Sequence, residues 1–440
     1  MKRQIFYLLA VLLLSGCASN SISAGVPQIA DTASVAKSNL STDVSAIGFY
    51  GQADGTLGKG CGTDAGYYYC QERGENHAEL RYLDYASKTA MPLCSRPECT
   101  HADDTCTAWL GWRGGYPQLT ANDTNLILAY AGATQTDAKQ AQDAALAHLE
   151  ILDLNGARKR LLVNFKADED LQPGIACDAT AAYVLKSNVV DGALHTVLCA
   201  VSLADGTVRE VYTLPHGASF IVGAAGRNVI VKSFSAPVGD ALYTAGDTQT
   251  FFCIDADTGA CVGQKALLFD HSAAMPQALA EGTMLYVFSP AENTVTATDL
   301  ITGEEKYKVE NLISQMVQFG QIMRIFDDKL ILSEIFTENA NQASTQFWVN
   351  LATGEQGTLT LTGSAGEPSA HSNFAIVPAC SVNDSFLTVY QCAEDKVKLY
   401  DEAARLMEAT VTVPHYAFIA KADYFANTAN FTPFTEVQNG

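Results

Sequence analysis

Ile254-Asp255-Ala256-Asp257-Thr258-Gly259 is the clearest copy of a short element that recurs along this chain of 440 residues. An apolar residue and an Asp precede a turn that ends in Gly, and β-prone residues follow. The Gly supplies a positive φ, and the Asp side chain binds nearby backbone N–H groups, so that the chain can reverse between two strands. The stretch therefore predicts a β-hairpin.

Six other segments share this pattern. They are Leu83-Asp84-Tyr85, Leu152-Asp153-Leu154-Asn155-Gly156, Val201-Ser202-Leu203-Ala204-Asp205-Gly206, Thr298-Asp299-Leu300-Ile301-Thr302-Gly303, Val349-Asn350-Leu351-Ala352-Thr353-Gly354 and Tyr400-Asp401-Glu402. The steps between the polar anchor residues are 69, 49, 53, 44, 51 and 51 residues. Blades of β-propellers commonly repeat at about 40–50 residues, so this period is typical of a propeller with slightly long loops.

Two further β-prone runs lie between successive anchors, for example 277–280 with 284–288, and 322–326 with 329–332. Together with the flanking hairpins they predict four strands per unit, the content of one blade. A single sheet of this size cannot bury both faces, so neighbouring sheets must stack and the ring must close. We therefore expect an all-β fold, a β-propeller over residues 45–431 followed by a tail at 432–440. Two stacked sandwiches remain the structural alternative.

Seven anchors favour seven blades, with six or eight also open. The long first step contains an insertion, which includes a helix-prone run over 136–149. Ring closure has two alternatives. Either Ile47-Gly48-Phe49-Tyr50 completes the last blade beside Ala417-Phe418-Ile419-Ala420, or an eighth, degenerate blade is present.

The N-terminus has the pattern of an export signal, with Lys2 and Arg3 before an apolar run over 5–14 that is too short for a stable membrane span. Leu14-Ser15-Gly16-Cys17 resembles the lipobox of bacterial lipoproteins. The resemblance implies a signal peptide over 1–16, cleavage before Cys17 and attachment of acyl chains such as palmitate to its sulfur. Residues 17–44 then form a lipidated Cys and a flexible linker, since they are rich in Ser, Ala and Thr. An ordinary secretory signal is the alternative.

The Asp-x-x-Thr-Gly hairpins resemble the repeats of WD40-like and quinoprotein-like β-propellers over most of residues 45–430. Because the Trp residues typical of both repeats are missing, no quinone cofactor is implied. Lipobox, linker and blades together are similar to the uncharacterised propeller lipoproteins of anaerobic Gram-positive bacteria. This resemblance implies a protein at the extracytoplasmic face of the bacterial membrane, in contact with the bilayer through Cys17.

A second chemical signal lies in Cys94-Ser95-Arg96-Pro97-Glu98-Cys99-Thr100-His101-Ala102-Asp103-Asp104-Thr105-Cys106. Three thiols and one imidazole within thirteen residues are a donor set that satisfies tetrahedral zinc, and one short loop can bring them together. The spacing of the second half matches zinc knuckles. Exported proteins, however, favour disulfides over metal thiolates. A disulfide clip with one spare thiol, a structural zinc ion and a catalytic thiol therefore all remain open.

Eleven cysteines remain when Cys17 is set aside. Cys61 with Cys70, and Cys253 with Cys261, flank turns at spacings that favour disulfides across a hairpin. Cys177, Cys199, Cys380 and Cys392 are harder to pair within one blade. If those eight were paired, the three thiols left over would all lie in the cluster with His101.

The chain carries 27 basic and 48 acidic residues without a basic block, which argues against nucleic acid as a partner. The common hydrolase, metalloprotease and nucleotide-binding motifs are missing from the sequence, and no catalytic residue is predicted. We expect a monomeric binding or scaffolding module at the cell surface, with an unidentified protein or glycan ligand. A glycan-active hydrolase or lyase and a structural component of an envelope assembly are the alternatives.

Overall fold

The computed structural model describes residues 46–49, 60–72, 77–101, 104–111, 117–132, 146–235, 246–268, 276–312, 320–334, 346–365, 373–400 and 406–437. Cys17 and the rest of the predicted signal and linker lie outside these residues. In the described part, almost all regular structure is β-strand, and one short helix occurs near the C-terminal end.

The strands, in chain order, are β1 (Gly48–Phe49), β2 (Gly60–Gly62), β3 (Gly66–Glu72), β4 (His77–Asp84), β5 (Thr89–Pro92), β6 (Trp109–Gly111), β7 (Gln118–Ala121), β8 (Asn125–Tyr130), β9 (His148–Asp153), β10 (Arg160–Asn164), β11 (Asp170–Cys177), β12 (Ala181–Val190), β13 (Ala193–Ser202), β14 (Val208–Thr213), β15 (Ala218–Ala225), β16 (Asn228–Phe234), β17 (Thr248–Asp255), β18 (Cys261–Leu268), β19 (Gln277–Glu281), β20 (Met284–Ser289), β21 (Thr294–Asp299), β22 (Glu305–Glu310), β23 (Gly320–Phe326), β24 (Lys329–Glu334), β25 (Gln346–Asn350), β26 (Gln356–Leu359), β27 (Thr362–Ala365), β28 (Asn373–Ala375), β29 (Pro378–Val382), β30 (Ser385–Tyr400), β31 (Leu406–Ala420), β32 (Phe431–Pro433) and β33 (Thr435–Glu436). The helix α1 (Lys421–Phe425) lies between β31 and β32.

These strands form seven sheets, the seven blades of a β-propeller, and the pairing is antiparallel except for β33 with β5 and β27 with β30. Blade 1 contains β2 to β6 and β33, and blade 2 contains β7 to β10. Blade 3 contains β1 and β11 to β14, while blades 4, 5 and 6 each contain the next four strands in order. Blade 7 contains β27 to β32. The predicted fold class and the favoured number of seven blades are therefore confirmed.

Seven apolar clusters join each blade to the next and close the ring. Each cluster takes residues from two neighbouring blades, and the last joins blade 7 to blade 1. Representative members, from the seam of blades 1 and 2 onward, are Leu80 and Leu126, Ile151 and Val184, Leu198 and Val229, Val222 and Leu285, Val295 and Leu332, Trp348 and Phe386, and Leu387 and Leu83. Since burying one such side chain contributes about 1.5–3 kcal/mol, these seams hold the ring together.

Six of the seven predicted hairpins lie between the third and fourth strands of their blades. In blade 4, the Asp255 carboxylate accepts the N–H groups of Asp257 and Thr258 at 3.1 and 2.8 Å, and Gly259 has φ +72°. Asp299 and Asn350 accept equivalent bonds in blades 5 and 6. Turn chemistry is therefore the reason for the regular spacing. The seventh copy was wrongly placed in this series: Tyr400 ends β30, which is the second strand of blade 7 when β29 is counted first, so Asp401 and Glu402 follow on the opposite side of the blade and lie outside the described residues.

The two faces of the ring differ in their connections. Because strands alternate in direction, turns between first and second strands and between third and fourth strands share one face, which we call the turn face. Its connections span six residues or fewer, apart from 421–430 with α1. The opposite face, the loop face, receives the connections between second and third strands and between blades. These include 131–147, 235–247 and 335–345.

The prediction for the N-terminal strand was wrong. Gly48 and Phe49 pair with Cys177 and Ala176 of β11, on the inner edge of blade 3, and not with Ala417–Ala420. Residues 417–419 have no free edge, since β31 pairs with β30 on one side and with β32 on the other. Ile47 is buried in the seam of blades 3 and 4, and its N–H donates to the Gly226 carbonyl at 2.7 Å on the turn face. The chain thus enters the ring on the turn face. No eighth blade occurs among the described residues.

The structure also differs from two other predictions, one for the run at 136–149 and one for the C-terminal residues. His148 and Leu149, the end of the run predicted as helical, belong to β9, and 136–145 lie outside the described residues. Residues 432–437 were expected in a tail, yet β33 pairs in parallel with β5, with Thr435 opposite Thr89. The C-terminal end therefore completes blade 1, which also contains the first strands of the repeat region.

An ion pair across the seam of blades 3 and 4 has a pH-dependent consequence. The buried Asp178 carboxylate contacts the Arg227 guanidinium at 2.6 Å and accepts the Tyr183 hydroxyl and the Thr180 and Ala181 N–H groups. Burial alone raises the pKa of Asp178, but the bonds from Arg227 and these donors outweigh it and hold the pKa below its ordinary value.

We expect Asp178→Asn to lower the free energy of unfolding by about 1–3 kcal/mol at pH 7, because the bonds to a charged acceptor are lost. A depressed pKa stabilises the fold fully above the ordinary carboxyl value, about 3.9, and this contribution disappears as pH falls through the folded-state pKa. Denaturation of both proteins between pH 7 and pH 3 should show the difference shrinking. Asp205→Asn, at an exposed turn where the Asp205 carboxylate accepts the Thr207 N–H, is the matched control. Equal losses for both variants would contradict the prediction.

Candidate metal centre

The Cys-rich segment interrupts the outer strand of blade 1. β5 pairs with residues 81–84 of β4, and β6 pairs with residues 77–79 of the same strand. Between them Leu80 binds both ends of the intervening loop: its carbonyl accepts the Leu93 N–H at 2.8 Å and its N–H donates to the Ala108 carbonyl at 2.7 Å. Residues 93–108 are therefore a loop inserted into one strand, and both ends of this loop bind Leu80.

This insertion accounts for most of the long first repeat. Without residues 93–108, the first anchor step of 69 residues would be close to the other steps. Sequence reasoning found the insertion but placed it around 136–149. A gap inside a strand is not visible locally, because β5 and β6 are each very short and only their common partner β4 identifies them as one strand.

The local sequence folds the loop back on itself. The Cys99 N–H donates to the Arg96 carbonyl at 3.3 Å, which closes a four-residue turn with Pro97 in its second position, where the fixed φ of Pro is favourable. His101 has φ +53°, a left-handed conformation that turns the chain again. The Trp109 N–H then donates to the Cys106 carbonyl at 3.1 Å. These turns bring together residues that are twelve positions apart.

The four predicted residues form one cluster. One ligand atom from each of Cys94, Cys99, His101 and Cys106 lies within 4.8 Å of the other three. His101 Nδ1 lies 3.1 Å from Cys106 Sγ. With Zn–S and Zn–N bonds of about 2.3 and 2.1 Å, the ligand atoms of a tetrahedral zinc site lie about 3.5–3.8 Å apart. The cluster therefore has the composition and nearly the dimensions of a metal site.

The surroundings of the cluster favour ligand chemistry. Burial lowers the pKa of His101, which keeps the imidazole neutral at pH 7, the form that binds metals. Burial acts to raise the pKa of the Cys94 thiol, but hydrogen bonds from the Arg96 N–H and neighbouring groups outweigh it and lower that pKa. Burial raises the pKa of the Cys106 thiol. The two thiols at the ends of the loop are thus shifted in opposite directions, the pKa of Cys94 downward and that of Cys106 upward.

Arg96 contacts the cluster, although no role was predicted for it from the sequence. Its guanidinium donates to Cys99 Sγ at 3.1 Å and to the Thr105 carbonyl at 2.6 Å. It thereby ties the two halves of the loop together and places a positive charge beside the sulfur atoms. Its position between the first two cysteines was the only signal available in the sequence.

The cluster packs against the core between blades 1 and 2. Cys106 is buried within that core, and Cys94, Cys99 and Trp109 pack against it. The Lys159 ammonium of blade 2 donates to the Trp109 carbonyl at 3.0 Å. Support from two blades on one side leaves the loop attached to a rigid base.

The other predicted cysteine pairs are not joined in the structure. Cys61, Cys70, Cys253 and Cys261 form no disulfide bond, and neither do the other cysteines of the described residues. Cys61 lies opposite Tyr68, so that Cys70 is its diagonal neighbour, and Cys253 lies opposite Gly263. Cys261 itself lies opposite Ile254, so neither of the two pairs is directly cross-strand. Disulfides at these two pairs stay predictions.

Comparison with known proteins identifies the N-terminal signal. Residues 1–18, which include Cys17, match the prokaryotic membrane lipoprotein lipid attachment site. No curated protein matches the sequence. In the part of the chain that the structure describes, no helix has the length and apolar character needed to cross a bilayer. The lipid attachment site therefore supports anchoring to the membrane through lipid.

The similarities to solved structures are distant. An oligogalacturonate lyase in complex with manganese is 10% identical, with a TM-score of 0.44 over 84% of this chain and 90% of that one. A post-proline cleaving enzyme from Rickettsia typhi is 9% identical, with a TM-score of 0.42 over 81% and 48%. Apo AztD from Citrobacter koseri is 12% identical, with a TM-score of 0.32 over 67% and 68%. At these values none of them bears on function.

Proposed function

We propose that this protein is a lipid-anchored lipoprotein at the extracytoplasmic face of the bacterial membrane, whose β-propeller acts as a binding or scaffolding module. The lipid attachment site at residues 1–18 is the observation that carries the proposal, because it joins a seven-bladed ring to a bilayer. A fold of this kind does not itself determine a reaction, since function resides in the loops that it presents.

The loop face supports the binding role. The longest connections between strands are gathered there, while the turn face has almost only tight turns. In blade 7, β30 and β31 remain paired from Ser385 opposite Ala420 to Tyr400 opposite Leu406. This hairpin is about twice as long as those of most other blades and extends past the ring on the loop face. The projecting hairpin offers a contact surface on this face to a protein or glycan.

The Cys/His cluster fits this role as a structural element. Four protein ligands fill the positions of a tetrahedral ion and leave none open for a substrate, unlike catalytic zinc, which keeps one position for water. We therefore assign a structural zinc ion to Cys94, Cys99, His101 and Cys106, and no catalytic role to them. The net charge of −21 makes an anionic polymer such as nucleic acid an unfavourable partner.

Capture of a ligand tests the binding role. The full lipidated chain in liposomes serves as bait for fractionated envelope proteins and envelope glycans, with liposomes that carry only a lipidated peptide of residues 17–44 as the control. We expect one protein or glycan fraction to be enriched on the full chain. Recovery of equal material on both liposomes would contradict the binding role, and degradation of an added glycan would favour the hydrolase or lyase alternative.

A further inference from the structure

The geometry points to a zinc ion that closes the neck of the insertion in blade 1, bound by the thiolates of Cys94, Cys99 and Cys106 and by His101 Nδ1. Binding would release three thiol protons to solvent and involve no redox change. This inference rests on the structural zinc assigned under the proposed function and adds its task, which is to hold together the interrupted outer strand of one blade; it does not depend on the binding role.

Convergence of all four side chains favours a metal over a disulfide clip. A disulfide joins two sulfur atoms at about 2.05 Å and gives no role to a third thiol or an imidazole. Here His101 Nδ1 lies within 3.1 Å of Cys106 Sγ, and all three thiols are free. The imidazole argues most strongly for a metal, because His101 adopts a left-handed backbone conformation and its ring lies among the three sulfur atoms.

The donor set selects zinc. Three thiolates and one imidazole are a common ligand set of structural zinc, and soft sulfur ligands disfavour magnesium, calcium and manganese. Three thiolates and Zn²⁺ give a net charge of −1. The Arg96 guanidinium, which donates to Cys99 Sγ, would neutralise that charge and orient the sulfur, as outer partners of metal ligands do.

The position of the cluster gives the ion its task. Cys94 directly follows Leu93, and Cys106 lies two residues before Ala108, so two ligands stand at the two ends of the loop that Leu80 holds. Cys99 and His101 come from the loop itself. One ion would thus tie both ends and the interior of the loop to each other, and keep β5 and β6 aligned on β4. β5 is also the strand to which the C-terminal β33 adds.

Metal analysis and thiol counting of the full chain test the inference. Protein purified without chelator should contain one zinc per chain. Cys99→Ser and His101→Ala should lose it, whereas His101→Cys should retain it, because four thiolates also suit structural zinc. Cys261→Ser, which removes an exposed thiol far along the sequence, is the matched control and should keep the zinc. Zinc-free protein with a disulfide among Cys94, Cys99 and Cys106 would overturn the inference.

Cobalt titration of the wild-type chain covers the case in which the variants do not fold. After removal of metal under reducing conditions, Co²⁺ should bind at one equivalent and give the visible absorption of a tetrahedral thiolate site. Cleavage after Glu98 by a Glu-specific protease should be slow with the metal and fast without it, because the loop then opens locally. A folded, reduced chain that takes up no Co²⁺ would also overturn the inference.

Discussion

Arg81→Met is expected to lower the free energy of unfolding by about 3–5 kcal/mol, the usual loss when one partner of a buried charge pair is removed. Arg81 lies in blade 1 with 1% of its side chain exposed. Its guanidinium donates to the Glu79 carboxylate at 3.0 Å and also to Glu436, which belongs to the C-terminal strand β33. Without Arg81, the largely buried Glu79 would face Glu436 with no positive charge between them.

Arg158→Met is the matched control for this experiment. Arg158 also pairs with a carboxylate, Asp153, at 2.7 Å, but 83% of its side chain is exposed. Exposed pairs of this kind contribute about 0–1 kcal/mol. Chemical denaturation of the full chains should therefore separate the two variants clearly, and similar midpoints for both would show that the Arg81 network does not hold the ring closed.

Removal of residues 435–440 should reproduce much of the Arg81 effect. The truncation deletes the parallel pairing of Thr435 and Glu436 with Thr89 and Ala90, and also removes one carboxylate partner of Arg81. If the truncated chain unfolded at the same denaturant concentration as the full chain, β33 would have no part in closure.

Cys17→Ala is expected to transfer nearly all of the protein from the membrane fraction to the soluble fraction. Buried acyl chains contribute about 0.8 kcal/mol per methylene, so that one chain holds weakly and two or more hold firmly. With the cysteine absent, the sulfur that receives the lipid is lost, and the described residues offer no membrane-spanning helix to replace it. Cell fractionation followed by detection of the propeller measures the change.

Cys261→Ser is a suitable comparison for the Cys17 variant, since it removes an exposed thiol of blade 4 and should leave the protein with the membrane. Protease added to cells with permeabilised outer layers should digest the wild-type protein from outside the cytoplasmic membrane. If Cys17→Ala stayed in the membrane fraction at the wild-type level, the result would contradict anchoring through a lipid on Cys17.

Features encoded by local chemistry were predictable from the sequence. The turn at Asp255–Gly259 depends on a side chain and a glycine four residues apart, and its recurrence in blades 1 to 6 predicted the fold class. The seventh copy, at Tyr400, agrees with the number of blades but lies in a different connection, between the second and third strands of blade 7. The Cys/His cluster was predictable for the same reason, because its four residues lie in one short segment. Which strand that segment interrupts was not predictable, because it depends on pairing with Leu80.

Contacts between distant parts of the chain could not be predicted from the sequence. Gly48 and Phe49 are β-prone, but nothing in their sequence selects β11 over β31 as the partner. β31 has no free edge, because it pairs with both β30 and β32, and this follows only from the pairing of the whole blade. Arg81 and Glu436 are 355 positions apart and belong to no repeated motif. Their contact exists only because the last strand returns to blade 1.

The entry of the chain at Ile47 has a mechanical consequence. A pull on the lipid tether reaches the ring through β1, which is paired with β11 over only two residues and held further by the Ile47 bond to Gly226. Under load, these few bonds would break first and β1 would detach, while the β11–β14 strands of blade 3 remain paired. Detachment of β1 would therefore precede unfolding of the propeller when the envelope is stretched.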